Sequence, residues 1–497
     1  MSGPNEGRMI RLRTATRWLA ALALGAGVAA AGGCSTNPAT GERIFTGALP
    51  VAQEEQIGKQ SRPEILAEFG GEYPDEALQR YVQSIGELVA ATSERTDVSY
   101  TFTVLNSDVV NAFAVPGGYI YITRGLLALA NNEAEIAGVL AHEVGHIVSR
   151  HSAQRATQSA LAGVAAAVLG VATGSSQVAQ MAQTGGMAVI QSYSREQEFE
   201  ADTLGVRYLS RAGYDPSAMS SFLASLNAHS NLEAKMAGGN PPEFNIMSTH
   251  PRTQDRVQRA VAEAGGYAVR NPMLARDIYL QKIDGIVYGD APEQGFVRGR
   301  DFVHPTLGFR FRVPEDFRLM NGAQQVVAKG SGGAVIVFDA AQRRSGLPIV
   351  SYLRDDWAAG ASLQSLERIT VNGMEAATAL VKGTVQGQPA DLRLVAIAFD
   401  GTQVFRFMFV IPSRASSALI ESFQRTTYSF QRLSAAEAAR YQPKRLDVVP
   451  VGSGDGVSRF VGMMNVDSYP EEQFRVLNGL LGGEGLLAGQ KVKIVTE

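Results

Sequence analysis

The order of apolar and polar positions divides the chain into blocks of different period. Residues 1–17 carry Arg8, Arg11, Arg13 and Arg17, and an apolar run follows from Trp18 to Ala31. That run is shorter than the ~20 residues a spanning helix needs. It ends in Gly32-Gly33, so residues 1–33 read as a secretory leader. Residues 34–50 show no period and predict an irregular tether. Helical spacing occupies 51–95, through Ile65, Leu66, Phe69, Leu78, Tyr81, Val82, Ile85 and Leu88. Alternation predicts strands at 99–105 and 119–123, the second entered through Pro116-Gly117-Gly118. Helical patterns return at 126–130, 133–154, 195–211, 216–229 and 251–265. Residues 157–190, rich in Ala, Gly and Val, predict buried or lid-like helix, and 289–295 reads as a linker.

Beyond about residue 300 the pattern changes. Short strand-like runs at 308–313, 335–338, 392–399 and 404–410 mix with helical stretches at 349–358 and 415–425. This predicts a separate α+β domain over 300–435. Its lone His304 reads as a surface or core residue. Residues 445–497 read as strand, turn, two helices and strand, a small βααβ module. The fold class is α+β throughout, with a mainly helical first domain over 51–290.

Composition narrows the function. Hydrophobic residues make up 45% and charged residues 19%, a globular balance. The net charge of -3 offers no overall basic field, so nucleic acid is not an expected partner. The single cysteine, Cys34, excludes a disulfide framework and any zinc site built on several thiolates. Cys34 directly follows the leader's small residues, and this resembles a bacterial lipoprotein signal, with Ala31 where Leu is usual. The resemblance implies lipidation of Cys34 and, with Ser35 after it, attachment to the outer membrane.

Six histidines in 497 residues make any cluster informative. Residues 142–146 are His-Glu-Val-Gly-His. At ~100° per residue, positions i and i+4 lie about 40° apart, so His142 and His146 share a helix face. Glu143 falls within the apolar stripe of Ile136, Val139, Leu140, Val144 and Ile147. A buried carboxylate is costly unless paired or beside a metal. The pattern H-E-x-x-H meets that condition, with both histidines ligating zinc and the glutamate as general base. A catalytic zinc needs a third protein ligand. His151 points about 180° from His142 on a continued helix, so it does not share the site. Glu198 and Asp202 share a face by the i, i+4 rule. One can ligate and the other can orient a liganding histidine.

These motifs together resemble the M48 metallopeptidase family, in its BepA-like and HtpX-like branches. The resemblance covers about 50–270 and rests on Asn111-Ala-Phe-Ala-Val-Pro-Gly-Gly118, His142-Glu-Val-Gly-His146, Ser194-Arg195, Glu198-Phe-Glu-Ala-Asp202, and Ser248-Thr-His-Pro251 with Arg256. It implies a zincin-type peptidase domain and one zinc ion per chain. The implied ligands are His142, His146 and Glu198, with Asp202 orienting a histidine and Glu200 the less favoured ligand. Glu143 would move protons, while His250 and Arg256 would stabilise the developing oxyanion. In the BepA-like branch the histidine matching His250 can take the fourth zinc position and hold the enzyme latent. An extended substrate would pair with Gly118, Tyr119, Ile120 and Tyr121 as an edge strand.

The last unit resembles a degenerate LysM module through Val449-Pro450, Gly454-Asp455, 474–479 and 487–495, with Gly456 where Thr is usual. Glycan binding and a structural end cap both remain open for it. The implied function is a lipid-anchored zinc endopeptidase of the bacterial periplasm, acting on unfolded or misassembled envelope polypeptides. The alternative is a chaperone-like or peptidoglycan-associated adaptor with a mainly latent zinc site.

Overall fold

The computed structural model describes residues 34–160, 192–236, Ile246, His250, 254–267, 269–385 and 388–497. The leader and 161–191, most of the expected lid-like helix, lie outside the described residues.

The first region opens with β1 (Cys34–Thr36), β2 (Arg43–Phe45), α1 (Val51–Glu68) and α2 (Glu76–Ala90). A small sheet follows from β3 (Thr101–Leu105), β4 (Ala112–Val115) and β5 (Tyr119–Thr123). Then come α3 (Arg124–Leu129), α4 (Glu133–Val148), α5 (Arg195–Arg211), α6 (Ala218–Met236), α7 (Gln254–Gly265) and α8 (Arg276–Ile283). Local chemistry explains where the central helices start. The Asn132 side chain accepts the Glu135 amide at the head of α4. Ser194 and Gln197 close a reciprocal capping box on α5. Helix α4 is buried along its whole length, from Ala134 to Val148, so it runs through the core rather than over it.

Two glycines let α4 and α5 approach closely. A Cβ on Gly205 would stand 3.2 Å from the His142 amide nitrogen, and one on Gly145 would stand 3.2 Å from the Ala201 carbonyl oxygen. Larger residues at either position would push the two helices apart and carry Glu198 away from the histidines.

The sheet corrects one expectation. Its order is β3-β5-β4, so Tyr119–Thr123 is the central strand. It pairs in parallel with β3 (Thr101↔Tyr119 to Leu105↔Thr123) and antiparallel with β4 (Ala112↔Ile122 to Val115↔Tyr119). Gly118 is also engaged, because its carbonyl accepts the Thr101 amide at 2.9 Å. Residues 118–121 therefore present no free edge, and the sheet's edges are β3 and β4. The parallel β3 partner is non-local and invisible to alternation alone.

The stretch expected to be an irregular tether is also ordered. Cys34–Thr36 pairs antiparallel with Arg43–Phe45. The buried Arg150 guanidinium fastens this hairpin by donating to Ser35 Oγ at 2.7 Å, Thr46 Oγ1 at 2.9 Å and the Leu49 carbonyl at 2.7 Å. Its Nε donates to Glu54 Oε1 at 2.7 Å.

After the first region, a four-stranded sheet and a seven-stranded antiparallel sheet span 296–432. They enclose a phenylalanine-rich core of Phe302, Phe309, Phe311, Phe338, Phe405, Phe407 and Phe430. The chain then returns to the first region: Arg445 pairs with Val287, and Lys444 with Tyr288. No helix among the described residues is long and apolar enough to cross a membrane.

Candidate metal centre

The i, i+4 spacing brings His142 and His146 together as expected, with their Nε2 atoms 3.0 Å apart. Helix α5 adds Glu198, whose Oε1 lies 3.5 Å from His146 Nε2 and whose Oε2 lies 3.7 Å from His142 Nε2. His250 completes the set: its Nδ1 stands 3.3 Å from His142 Nε2 and 2.9 Å from Glu198 Oε1. All four residues are buried.

These distances match a metal site. A tetrahedral ion with bonds of ~2.0–2.1 Å holds its ligand atoms roughly 3.3 Å apart. Imidazole nitrogens at 3.0 Å without a metal would need a proton between them. Three imidazoles and one carboxylate form a donor set suited to zinc. Glu143 adds a second sign. Its side chain is 1% exposed, and its Oε2 has no hydrogen-bond partner among the described residues. Its Oε1 lies 3.5 Å from His250 Nε2. An unpaired buried carboxylate oxygen beside the cluster is where a proton-transferring group has to sit, and it is costly there for any other reason.

Asp202 takes the orienting place that the spacing allows, with Oδ1 3.0 Å from His142 Nδ1. Arg256 clamps the Asp202 carboxylate with two bonds of 2.7 Å and lies 2.5 Å from Glu198 Oε2. The guanidinium expected to face an oxyanion is thus engaged by two carboxylates of α5, Glu198 and Asp202. Burial raises the pKa of both carboxyls, but their cationic and imidazole neighbours outweigh it. Glu198 is held well below its usual range by His250, His146 and His142, and Asp202 is lowered by Arg256 and His142. Burial pushes the His146 imidazole well below its usual value, so it is neutral. Burial opposes protonation of His250 too, yet the carboxylates of Glu198 and Glu143 prevail and raise its pKa.

Sequence reasoning missed two groups. His151 was excluded as a ligand, and it is not one. It instead backs His146, with the two Nδ1 atoms 2.7 Å apart. Tyr193 stacks on the His146 ring with centroids 3.7 Å apart, and the Arg155 guanidinium covers its other face at 3.7 Å. The Tyr193 contact is non-local, while His151 is a third histidine only five residues beyond His146.

Comparison with known proteins agrees with this geometry. Residues 76–264 match Peptidase family M48. This stretch is similar to an M48 peptidase domain. It contains His142, Glu143, His146, Glu198, Asp202, His250 and Arg256. The "Beta-barrel assembly-enhancing protease" of Escherichia coli K12 is 30% identical over 247 residues, covering 47% of this chain and 48% of that protein. The protein of the same name from Yersinia pestis is 33% identical over 196 residues, covering 37% and 39%. The "Mitochondrial metalloendopeptidase OMA1" of Schizosaccharomyces pombe is 28% identical over 214 residues, covering 41% and 59%. The chain thus spans about half the length of these relatives.

Proposed function

We propose that the protein is a zinc-dependent endopeptidase of the bacterial cell envelope that hydrolyses peptide bonds of unfolded or misassembled envelope proteins. The observation that carries this reading is the buried set of His142, His146, Glu198 and Glu143 inside an M48 domain. The names of the relatives, an assembly-enhancing protease and a metalloendopeptidase, support it.

His142, His146 and Glu198 would hold the zinc, whose Lewis acidity activates water and polarises a scissile carbonyl. Glu143 takes a proton from the attacking water and returns one to the leaving amine. Arg256 is a positioning residue that fixes Asp202 and Glu198. His250 has two roles. In the resting arrangement its Nδ1 would be available as a fourth ligand, and once displaced the imidazole would be able to donate to the developing oxyanion. Substrate backbone would pair along β4, Ala112–Val115, an edge strand of the sheet among the described residues, rather than along Tyr119–Thr123. Lipidation at Cys34, which is exposed, would anchor the chain to the outer membrane facing the periplasm. Peptidoglycan contact through 445–497 belongs to the same reading.

The alternative, an adaptor with a latent centre, draws on one observation: His250 stands within the cluster as a candidate fourth ligand. Degradation of unfolded casein by the purified full chain separates the two. Glu143→Gln should keep zinc and lose about 10²–10⁴-fold in rate, the usual contribution of a general base. His250→Ala should cleave faster than wild type. Zinc retention with no cleavage in any of the three forms would favour the adaptor. Unchanged or slower cleavage in His250→Ala would remove the latency role.

A further inference from the structure

The two liganding histidines have different outer partners. His142 Nδ1 meets a carboxylate directly, the Asp202 group clamped by Arg256. His146 Nδ1 meets another imidazole, His151, which is fully buried. His151 Nε2 lies 3.3 Å from Glu200 Oε2. Glu200 Oε1 in turn accepts from Ser149 Oγ at 2.8 Å and from Asn37 Nδ2 at 2.5 Å.

The proton order in this chain is fixed by valence. If His146 Nε2 gives its lone pair to a metal, Nδ1 carries the hydrogen. That hydrogen needs an acceptor, so His151 Nδ1 is bare and His151 Nε2 carries a hydrogen. That one needs an acceptor too, and Glu200 Oε2 is in place. The last carboxylate oxygen is filled by two donors. The two imidazole links thus donate outward from the cluster to the Glu200 carboxylate, and Asn37 of the N-terminal hairpin donates to the same carboxylate from the other side.

The bend that permits it is also built. Helix α4 ends at Val148, Arg150 takes a left-handed φ of 53°, and residues 151–160 form a new helical stretch. A left-handed arginine is unfavourable by about 1–2 kcal/mol. The four bonds its guanidinium makes to Ser35, Thr46, Leu49 and Glu54 hold it there. The hairpin that supplies Asn37 thus also supplies two of the anchors for the turn that presents His151.

We propose that His151, Glu200 and Asn37 form a positioning relay that fixes the tautomer and orientation of His146 and so sets the zinc affinity of the centre. The inference rests on reading His142, His146 and Glu198 as a zinc site, and it goes beyond that reading by giving the N-terminal hairpin a share in holding the metal. Outer partners of this kind typically change metal affinity by about 10–100-fold.

The test is a zinc titration of the full chain against a chromophoric chelator, with the thermal midpoint of the metal-free form measured in parallel. Five variants serve: His146→Ala, His151→Leu, His151→Asn, Glu200→Ala and Asn37→Ala. His151→Leu and Glu200→Ala should weaken zinc by about 10–100-fold. His151→Asn keeps an acceptor near His146 Nδ1 and should recover part of the loss. Asn37→Ala should give a smaller loss. Glu200 is partly exposed and Asn37 sits in the hairpin, so their metal-free midpoints should stay near wild type. If His146→Ala loses zinc while His151→Leu and Glu200→Ala bind like wild type, the relay is wrong. A loss in Glu200→Ala matched by a fall in its metal-free midpoint, with no recovery in His151→Asn, would reduce these residues to packing and also overturn it. Wild-type affinity in His146→Ala would instead sink the zinc site itself.

Discussion

The C-terminal unit and the seven-stranded domain both follow the M48 domain in sequence, yet they relate to it in opposite ways. The seven-stranded domain closes its own cores. Every residue of its phenylalanine cluster lies between 302 and 430, and a second cluster on the other side of the sheet lies between 349 and 404. Its links to the first region are peripheral bonds such as Asn321 Nδ2 to Asp290 Oδ1 at 3.0 Å. The C-terminal unit is built into the M48 core. On its last strand, Lys491–Thr496, Val492 and Ile494 face a small core of the unit itself, while Lys493 and Val495 face the peptidase. Leu446, Val476, Leu477 and Val495 join one cluster with Leu127, Leu129 and Tyr279. A unit that shares a core is part of the first region's fold, whatever else it binds, whereas a domain with its own core can be lost or altered separately.

The sharpest way to break this comparison is Lys493. Its ammonium is fully buried and donates to the carbonyls of Ala128, Leu129 and Ala130 at 2.8, 3.1 and 2.7 Å, capping the C-terminal end of α3. Burial pushes its pKa well below the usual lysine range, with the Glu135 carboxylate pulling the other way. Lys493→Met would leave these carbonyls without a donor and remove one of the two cations, with Arg276, that act on Glu135. The expected cost is about 3–5 kcal/mol, felt in the M48 domain, with zinc released at lower temperature. Trp357 reports separately, because it lies in the seven-stranded domain and the chain's other tryptophan, Trp18, precedes Cys34. A Lys493→Met protein whose zinc loss tracks wild type would make the unit a mere appendage.

The converse experiment uses Phe405. Its ring lies 4.3 Å from Phe309 and 5.4 Å from Phe430 between centroids, and it is 1% exposed. Phe405→Ala opens a cavity worth about 3–5 kcal/mol. The Trp357 transition should move to lower denaturant while zinc content and cleavage stay unchanged. Coupled loss of zinc would show that the two regions stabilise each other after all.

The contrast also explains what could be read beforehand. The candidate metal cluster was legible because helix geometry fixes His142 against His146, and because Glu143 in an apolar stripe has few inexpensive explanations. Glu198 and Asp202 followed from the same spacing together with the family resemblance. The contact of His151 with His146 was not legible, because the angular argument assumes an unbroken helix and nothing local announces that Arg150 turns left-handed. Lys493 was opaque for a related reason. Alternation hands a strand lysine to solvent, and only the carbonyls some 360 residues away make burial tolerable. The central place of Tyr119–Thr123 and the docked hairpin at 34–45 depend on partners that no window of sequence contains.

The smallest expected effect is a pH dependence confined to the seven-stranded domain and its neighbouring strands. His304 ends a strand of that region, is buried, and accepts the Leu307 amide on Nδ1 at 3.2 Å. Burial pushes its pKa down to about 4 from the ordinary 6.5. The folded chain therefore refuses a proton that the unfolded chain takes up once the pH falls below about 6.5. Stability from this group is complete above that pH and falls by about 1.4 kcal/mol per unit towards pH 4, where the loss levels off. The full penalty is on the order of 3 kcal/mol. Carboxylates titrate in the same window, so the informative quantity is wild type minus His304→Asn, read by Trp357 fluorescence in urea at pH 7, 6, 5 and 4. The difference should shift steadily in favour of the variant as the pH falls, while the temperature of zinc loss at pH 7 stays the same in both proteins. A flat difference would mean that the His304 ring keeps its ordinary pKa through contact with water. A parallel shift in zinc retention would mean that the domain's core is not as separate as its contacts imply.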